Sequence, residues 1–309
     1  MENKEKNFVS AVVYLYNEGN YIESYLRGLE ETLRKNFEKY EIIVVNDAST
    51  DDGIQKVKAY VSSQEGAKVT LMNMGYHQGM ETSMDAGVDL AIGDFVFELE
   101  FTNTDYDWCV LMDVYRHSLE GYDIVNAKSD IDKKITIGSL FYNIMNRYAN
   151  LQYPLASGAF RIVSRRAINR IHSLATRIPY RKVAYANCGL KCDTFLYDCI
   201  KKVKLRGASN RLGLATNSLV LFTDVPFRFT IWFAIIMIVF TIGMAAFVII
   251  SFISNKMVAD WAVVLLFMSI ALSGLFVVLC LIIRYLTTLV RLNFLKRDYV
   301  FESIDKLQK

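Results

Sequence analysis

The sequence predicts an α/β domain on a mostly parallel sheet, followed by a two-helix transmembrane hairpin. Two observations carry this reading. Through residue 100, apolar β-branched runs of strand length alternate with stretches of helical spacing, the pattern of βα units with right-handed crossovers. Near the C-terminus, two apolar runs at 229–253 and 261–283 contain no charged residue. Each exceeds the ~20 helical residues a bilayer core requires.

The elements follow in order. Residues 8–15 read as a buried strand running into the polar loop Tyr16-Asn17-Glu18-Gly19-Asn20. Residues 20–38 carry helical spacing at Ile22, Tyr25, Leu26, Leu29 and Leu33. A second strand at 41–46 ends in Asp47-Ala48-Ser49-Thr50-Asp51-Asp52, a run of turn and cap residues, and a helix follows to Ser63. Residues 68–72 form a third strand, 79–92 an amphipathic helix and 94–100 a fourth strand. Ligands of such sheets bind at the strands' carboxyl ends, where the loops at Asn17, Asp47, His77 and Glu100 fall. Further on, 110–120 reads as helix, 122–127 as strand, 135–151 as an amphipathic helix, 157–164 as strand and 165–174 as helix. Residues 201–207 read as a basic strand or turn, and 212–225 as an amphipathic helix against a membrane.

These elements group into a cytoplasmic domain at 1–211, a juxtamembrane segment at 212–228, the hairpin at 229–283 and a cytoplasmic tail at 284–309. Apolar residues make up 53% of the chain, and the hairpin accounts for much of that excess. The net charge of +3 is too small to point to nucleic acid. Charge is informative locally. Lys201, Lys202, Lys204, Arg206, Arg211 and Arg228 precede the first apolar run, and Arg284, Arg291, Lys296 and Arg297 follow the second. That bias puts both flanks on the cytoplasmic side. The polar start, Met1 to Lys6, reads without a signal peptide. The five cysteines are scattered and fit reduced cytosolic thiols, although Cys188 and Cys192 have the spacing of helical neighbours.

The loops carry recognisable motifs. Tyr16-Asn17-Glu18, then Val44-Val45-Asn46-Asp47-Ala48-Ser49-Thr50-Asp51, then Ala91-Ile92-Gly93-Asp94 resemble the P-x-Y-N-E, V-D-D-x-S-x-D and A-x-G-D motifs of family 2 glycosyltransferases with the GT-A fold. Ser157-Gly158-Ala159-Phe160-Arg161 with Ser164-Arg165 resembles the G-D-F-R-L-x-x-R segment of polyprenyl-phosphate glycosyltransferases such as dolichol-phosphate mannose synthase. Arg206-Gly207-Ala208-Ser209 resembles their R-x-x-G-x-S-K, Val225-Pro226-Phe227-Arg228 the P-L-R that opens their hairpin, and Leu295-Lys296-Arg297-Asp298-Tyr299 their K-x-R-P-x-Y tail. The matches are collinear over nearly the whole chain.

The resemblance implies transfer of a sugar from a nucleotide-diphosphate sugar to a polyprenyl phosphate at the cytoplasmic face of a bacterial inner membrane. The donor would meet Tyr16, Asn17, Glu18, Asp47, Ser49, His77 and Gly79. Amide and carboxylate oxygens there accept from base N–H and sugar O–H groups, while Asp and Asn before helices also serve as caps. Asp47 is expected in a solvent-facing loop. The acceptor phosphate would meet Lys128, Ser157, Arg161, Arg206 and Ser209, with Glu100, Arg161 and Arg206 as catalytic residues. Arginine suits phosphate because its fork binds two oxygens at once. The resemblance also implies Mg²⁺ or Mn²⁺ on a D-x-D motif, which falls on Glu100-Phe101-Thr102. Glu98 shares a strand face with Glu100 and is a second candidate ligand. Relatives assembling through the hairpin make a homo-oligomer an expected partner state.

Four positions depart from the family pattern. Tyr14 replaces a proline, His77 an asparagine, Thr102 the second aspartate of D-x-D and Ala159 the aspartate of G-D-F-R. A working transferase with altered metal usage is one reading. A catalytically impaired relative that binds nucleotide sugar, lipid or a partner transferase is the alternative. A polysaccharide synthase would carry more spans and a Q-x-x-R-W segment, which this sequence lacks.

Overall fold

The computed structural model describes residues 4–64, 66, 68–130, 137–149, 151–155, 158–174, 180–200, 225–254, 260–293 and 301–307. The chain divides into two units. The described residues up to 200, together with 301–307, form the first; residues 225–293 form the second.

The first unit is an α/β domain. Its strands are β1 (Val9–Leu15), β2 (Tyr40–Asn46), β3 (Val69–Met74), β4 (Phe95–Leu99), β5 (Ile124–Ser129), β6 (Phe160–Ser164), β7 (Cys192–Tyr197) and β8 (Phe301–Leu307). They form one sheet in the order β7-β5-β6-β4-β1-β2-β3-β8. Strands β1 to β4 are mutually parallel, so their carboxyl ends open onto one edge. Strand β6 runs antiparallel between β4 and β5, and β8 antiparallel beside β3.

Strand alternation sends side chains to two cores. Val9, Ala11, Val13 and Leu15 of β1 pack on one face with helices α1 (Gly19–Asn36), α2 (Gly53–Ser63) and α4 (Cys109–Leu119). Val12 faces the other way, toward α3 (Met80–Leu90), α6 (Arg165–Leu174) and α7 (Arg181–Ala186). In α1 the buried positions Ile22, Tyr25, Leu26, Leu29 and Leu33 recur at three and four residues, which gives the helix one apolar stripe. Arg34 and Lys35 in its last turn complement the helix dipole. Gly87 lets α3 lie directly on the sheet, because a Cβ there would stand 2.5 Å from Val12 Cγ1 and 2.6 Å from Val45 Cγ2. Helix α5 (Ile137–Tyr148) contributes the buried Met145.

Strand β8 lies in a segment that the sequence reads only as a tail. Its register sets Ser303 opposite Asn73 of β3, and Asn73 Nδ2 donates to Ser303 Oγ at 3.1 Å. Helix α7 and strand β7 are likewise additions to the sequence reading. Cys188 lies just beyond α7 and Cys192 opens β7, so the two do not share a helix. The readings at 201–207 and 212–224 lie outside the described residues.

The second unit pairs α8 (Val225–Ile253) with α9 (Asp260–Asn293). Both hold apolar spans, Phe227–Ile253 with mean hydropathy 2.9 and Trp261–Leu286 with 2.8. Only 6% and 11% of these windows are buried, unlike a core helix of a soluble domain. Among the described residues of these helices, the small side chains Thr230, Ala234, Ala262 and Ser269 are the ones enclosed, as expected where apolar helices approach closely.

Candidate active site

The loops after β1, β2 and β3 are knit around one carboxylate. Asp47 is fully buried rather than solvent-facing, and it accepts hydrogen bonds from two other chain segments, β1 and the loop after β3. Its Oδ1 accepts from Gln78 N at 2.7 Å; its Oδ2 accepts from Gly79 N and from the Tyr14 hydroxyl, both at 2.9 Å. His77 Nδ1 also stands 2.9 Å from Oδ2. Burial, then Asp47, pushes the Tyr14 phenol far above its usual range, so Tyr14 remains a donor. Tyr14, which stands where relatives carry proline, thus supplies a hydroxyl to this cluster. Gly79 has φ 90°, a conformation that favours glycine and turns its N–H onto Asp47.

The neighbouring loop is held by Asn17 and Ser49. Asn17 Oδ1 accepts from Thr50 N at 2.8 Å, and Ser49 Oγ accepts from Asn17 N at 3.2 Å. Asn17 itself has φ 53°, a left-handed conformation that asparagine tolerates. The rings of Tyr16 and His77 stack at 4.1 Å between centroids. Glu18 reaches across to β4's loop, where its Oε2 accepts from Thr102 N at 3.1 Å and from the Thr102 hydroxyl. Tyr16, Asn17, Glu18, Asp47, Ser49, His77 and Gly79 therefore converge on one edge of the sheet.

A second cluster lies beside it and is ionic. The β4–β6 register sets Glu98 directly opposite Arg161. Glu98 and Glu100 share a face, as strand alternation predicts. Arg161 Nη2 donates to Glu100 Oε1 at 2.5 Å, and its Nη1 stands 3.5 Å from Glu98 Oε2. Arg181, at the start of α7, is 1% exposed, and its Nη2 lies 3.6 Å from both Glu98 Oε2 and Glu100 Oε1. Arg181 Nε lies 3.6 Å from Glu81 Oε2. Lys182 Nζ stands 3.4 Å from Glu100 Oε2. Three carboxylates face three cations. Burial opposes ionisation of Glu100, but Lys182, Arg161 and Arg181 outweigh it and hold its carboxyl down at about 2. The Tyr185 hydroxyl donates to Glu98, and the Arg161 guanidinium lies 5.5 Å from the Tyr185 ring centroid.

This network opens onto a cavity of about 220 Å³ whose wall includes Arg161, Lys182, Tyr185 and Asn126. Lys128 lies near the carboxyl end of β5, which β6 separates from β4. Ser157, Arg206 and Ser209 lie outside the described residues. Ala159 packs against the main core, and its N–H donates to Ala127 O at 2.9 Å. The sequence reading omits Glu81, Arg181, Lys182 and Tyr185. The Arg181-Lys182 pair is visible as two charges opening an apolar hexapeptide, but nothing in that spacing announces burial.

Glu98 and Glu100, the expected metal ligands, are ion-paired instead. A divalent cation needs several hard oxygen ligands. Both Glu100 oxygens face cations, and the Thr102 hydroxyl is directed to Glu18. Among the described residues no group of three or more His, Cys, Asp or Glu side chains is placed to hold a metal. Two like unit charges 4 Å apart cost about 4 kcal/mol at an effective dielectric near 20, and a doubly charged ion beside three cations multiplies that. The described residues at this strand end do not fit a metal.

Residues 10–171 match the family model described as glycosyl transferase family 2, more than half of the chain. An uncharacterized glycosyltransferase of Synechocystis sp. is 30% identical over 198 residues, covering 62% of this chain and 60% of that protein. A prophage bactoprenol glucosyl transferase homolog of Escherichia coli is 26% identical over 238 residues, covering 72% of this chain and 74% of its own length. A mannosyltransferase from Pyrobaculum calidifontis, solved in complex with GDP-Man and Mn²⁺, superposes with a TM-score of 0.51 at 18% identity, over 70% of this chain and 63% of that one. At that identity the likeness is one of fold, the GT-A type. With its strand-end loops and the extent of the family match, the chain belongs to glycosyl transferase family 2.

Proposed function

We propose that this chain is a membrane-anchored transferase that moves a sugar from a nucleotide-diphosphate sugar to a polyprenyl phosphate, with its catalytic domain on the cytoplasmic side of a bacterial inner membrane. The observation that carries the reading is the join between catalytic domain and anchor. The chain leaves the α/β domain, runs through two apolar helices and returns to add β8 to the same sheet. Both flanks of the anchor belong to one domain, so an even number of crossings is required. The basic residues Arg228 and Arg284 at its two ends fit a cytoplasmic placement. The bactoprenol named for the bacterial relative supplies the acceptor class.

In this reading the loops around Asp47 and Asn17 seat the nucleotide. Arg161 meets the acceptor phosphate, with Lys128, Ser157, Arg206 and Ser209 as further contacts. An oxygen lone pair of the lipid phosphate forms the new bond to the anomeric carbon. The bond from that carbon to the donor's β-phosphate oxygen breaks, and its electron pair leaves with the nucleoside diphosphate. The nucleophile is already anionic near neutral pH, so no base has to take a proton. That is compatible with Ala159 in place of an aspartate.

The test is transfer of radiolabel from UDP-glucose or GDP-mannose to undecaprenyl phosphate in membranes carrying the protein. Label that moves into organic extract supports the proposal. Bound nucleotide with no labelled lipid from either donor favours the catalytically impaired alternative, which Ala159 and Thr102 suggest.

A further inference from the structure

The ionic cluster beside the donor loops gathers Arg161, Arg181 and Lys182 around Glu98 and Glu100. It occupies the position of the family's metal motif, at the carboxyl end of β4, and it is built of fixed positive charge. Its geometry has unused capacity. Arg161 Nη1 and Arg181 Nε and Nη2 are buried and make no hydrogen bond; their carboxylate contacts lie at 3.5 to 3.6 Å. Well-made hydrogen bonds between charged groups are shorter, near 2.7–2.9 Å. Lys182 has three donors, contacts Glu100 at 3.4 Å and, with Arg161, forms part of the cavity wall. Glu18 and Thr102 tie the donor loop to the strand end that carries Glu100, the carboxylate that Lys182 contacts.

Taking the glycosyltransferase reading as its basis, we propose that Lys182, backed by Arg161 and Arg181, replaces the divalent ion, so that the chain binds its donor diphosphate and transfers sugar without metal. The charge that develops on the leaving β-phosphate oxygen is met by the Lys182 ammonium. Glu98 and Glu100 act as positioning residues that hold the three cations in place. Thr102, a poor metal ligand, is then at no disadvantage, because its hydroxyl serves to orient Glu18.

The experiment uses the full-length protein in detergent, with UDP and GDP as probes. Nucleotide affinity is measured by calorimetry in EDTA and in Mn²⁺, and bound Mn²⁺ is followed by electron paramagnetic resonance. The expected result is equal affinity in EDTA and Mn²⁺, with no bound-Mn²⁺ signal in the presence of nucleotide. Lys182→Ala is expected to weaken nucleotide binding in EDTA by about ten- to a hundred-fold, and Lys182→Arg to retain most of it. Binding that disappears in EDTA and returns with Mn²⁺ overturns the proposal but leaves the transferase reading standing. Unchanged affinity in folded Lys182→Ala protein also overturns it. Wild-type protein that binds neither nucleotide under either condition removes both. The wild-type comparison needs no variant, so a Lys182 substitution that fails to fold does not shield the idea.

Discussion

The donor loops and the ionic cluster stand side by side at one sheet edge but are built in opposite ways. Around Asp47 a single buried carboxylate is satisfied mainly by neutral donors, two of them backbone N–H groups of consecutive residues. Around Glu100, three carboxylates and three cations are drawn from α3, β4, its following loop, β6 and α7, and several contacts are too long to be hydrogen bonds. The first cluster is a hydrogen-bonded scaffold for loops. The second is a concentration of charge with donors to spare. A scaffold should fail by losing loop shape, and a charge cluster by exposing one sign of charge.

The largest effect should come from breaking the second cluster at its centre. Arg181 touches Glu81, Glu98 and Glu100. Arg181→Met keeps the length of the side chain and strands buried negative charge. Removing one partner of a buried pair costs about 3–5 kcal/mol. Urea denaturation monitored by tryptophan fluorescence should show that loss; a change below about 1 kcal/mol would place the pairs with weak surface bridges.

Acid sharpens the same contrast. The Glu100 carboxyl is depressed from 4.5 to about 2 in the fold. Its contribution is therefore complete above pH 4.5 and is lost as pH falls toward 2. The difference corresponds to on the order of 3 kcal/mol. Glu100→Gln should be less stable than wild type at neutral pH and should lose less stability on acidification through that window. Parallel acid-unfolding curves for the two proteins would show that Glu100 is not held by its cations.

The two clusters also differed in how far the sequence revealed them. Strands and helices through residue 174 are legible because hydrophobic period reports them directly, and the hairpin because uninterrupted apolar length does. Strand direction is not encoded in that period, so the antiparallel β6 could not be read. Strands β7 and β8 are sheet edges; Cys192–Tyr197 is mostly half-buried, and Phe301–Leu307 carries Glu302, Asp305 and Lys306, so neither has the apolar signature of a central strand. Asp47 was legible because its motif is contiguous. Its burial was not, since the donors that enclose it arrive from residues 77–79 and from Tyr14. Glu98 and Glu100 were legible as a pair on one face, whereas Arg181 and Lys182 reach them only through tertiary structure.

A smaller loss is expected at the scaffold. Asp47→Ala leaves the buried N–H groups of Gln78 and Gly79 without their acceptor. Each stranded donor costs about 1–3 kcal/mol, partly relieved if water enters. Nucleotide binding should be lost together with that stability, because the loops of β1 and β3 are no longer tied. Loss of binding with unchanged thermal stability would mean that Asp47 acts on ligand alone.

The smallest effect has the opposite sign and isolates strain within the scaffold. Ala48, next to Asp47, has φ 54°, and Asn17 in the neighbouring loop has φ 53°. Asparagine tolerates this left-handed region, but alanine carries a Cβ that crowds the following carbonyl and costs roughly 1–2 kcal/mol. Ala48→Gly removes that crowding, while the added freedom of glycine in the unfolded chain offsets part of the gain. The net expectation is a stabilisation of about 0.5–1 kcal/mol, seen as a small rise in the denaturation midpoint. If the strained turn serves to present Asp47 and Ser49 in one fixed geometry, the same variant should bind UDP or GDP more weakly, because a glycine there samples other conformations. Higher stability with lower affinity would mark strain held for function; higher stability at unchanged affinity would show that Asp47's hydrogen bonds alone fix the loop.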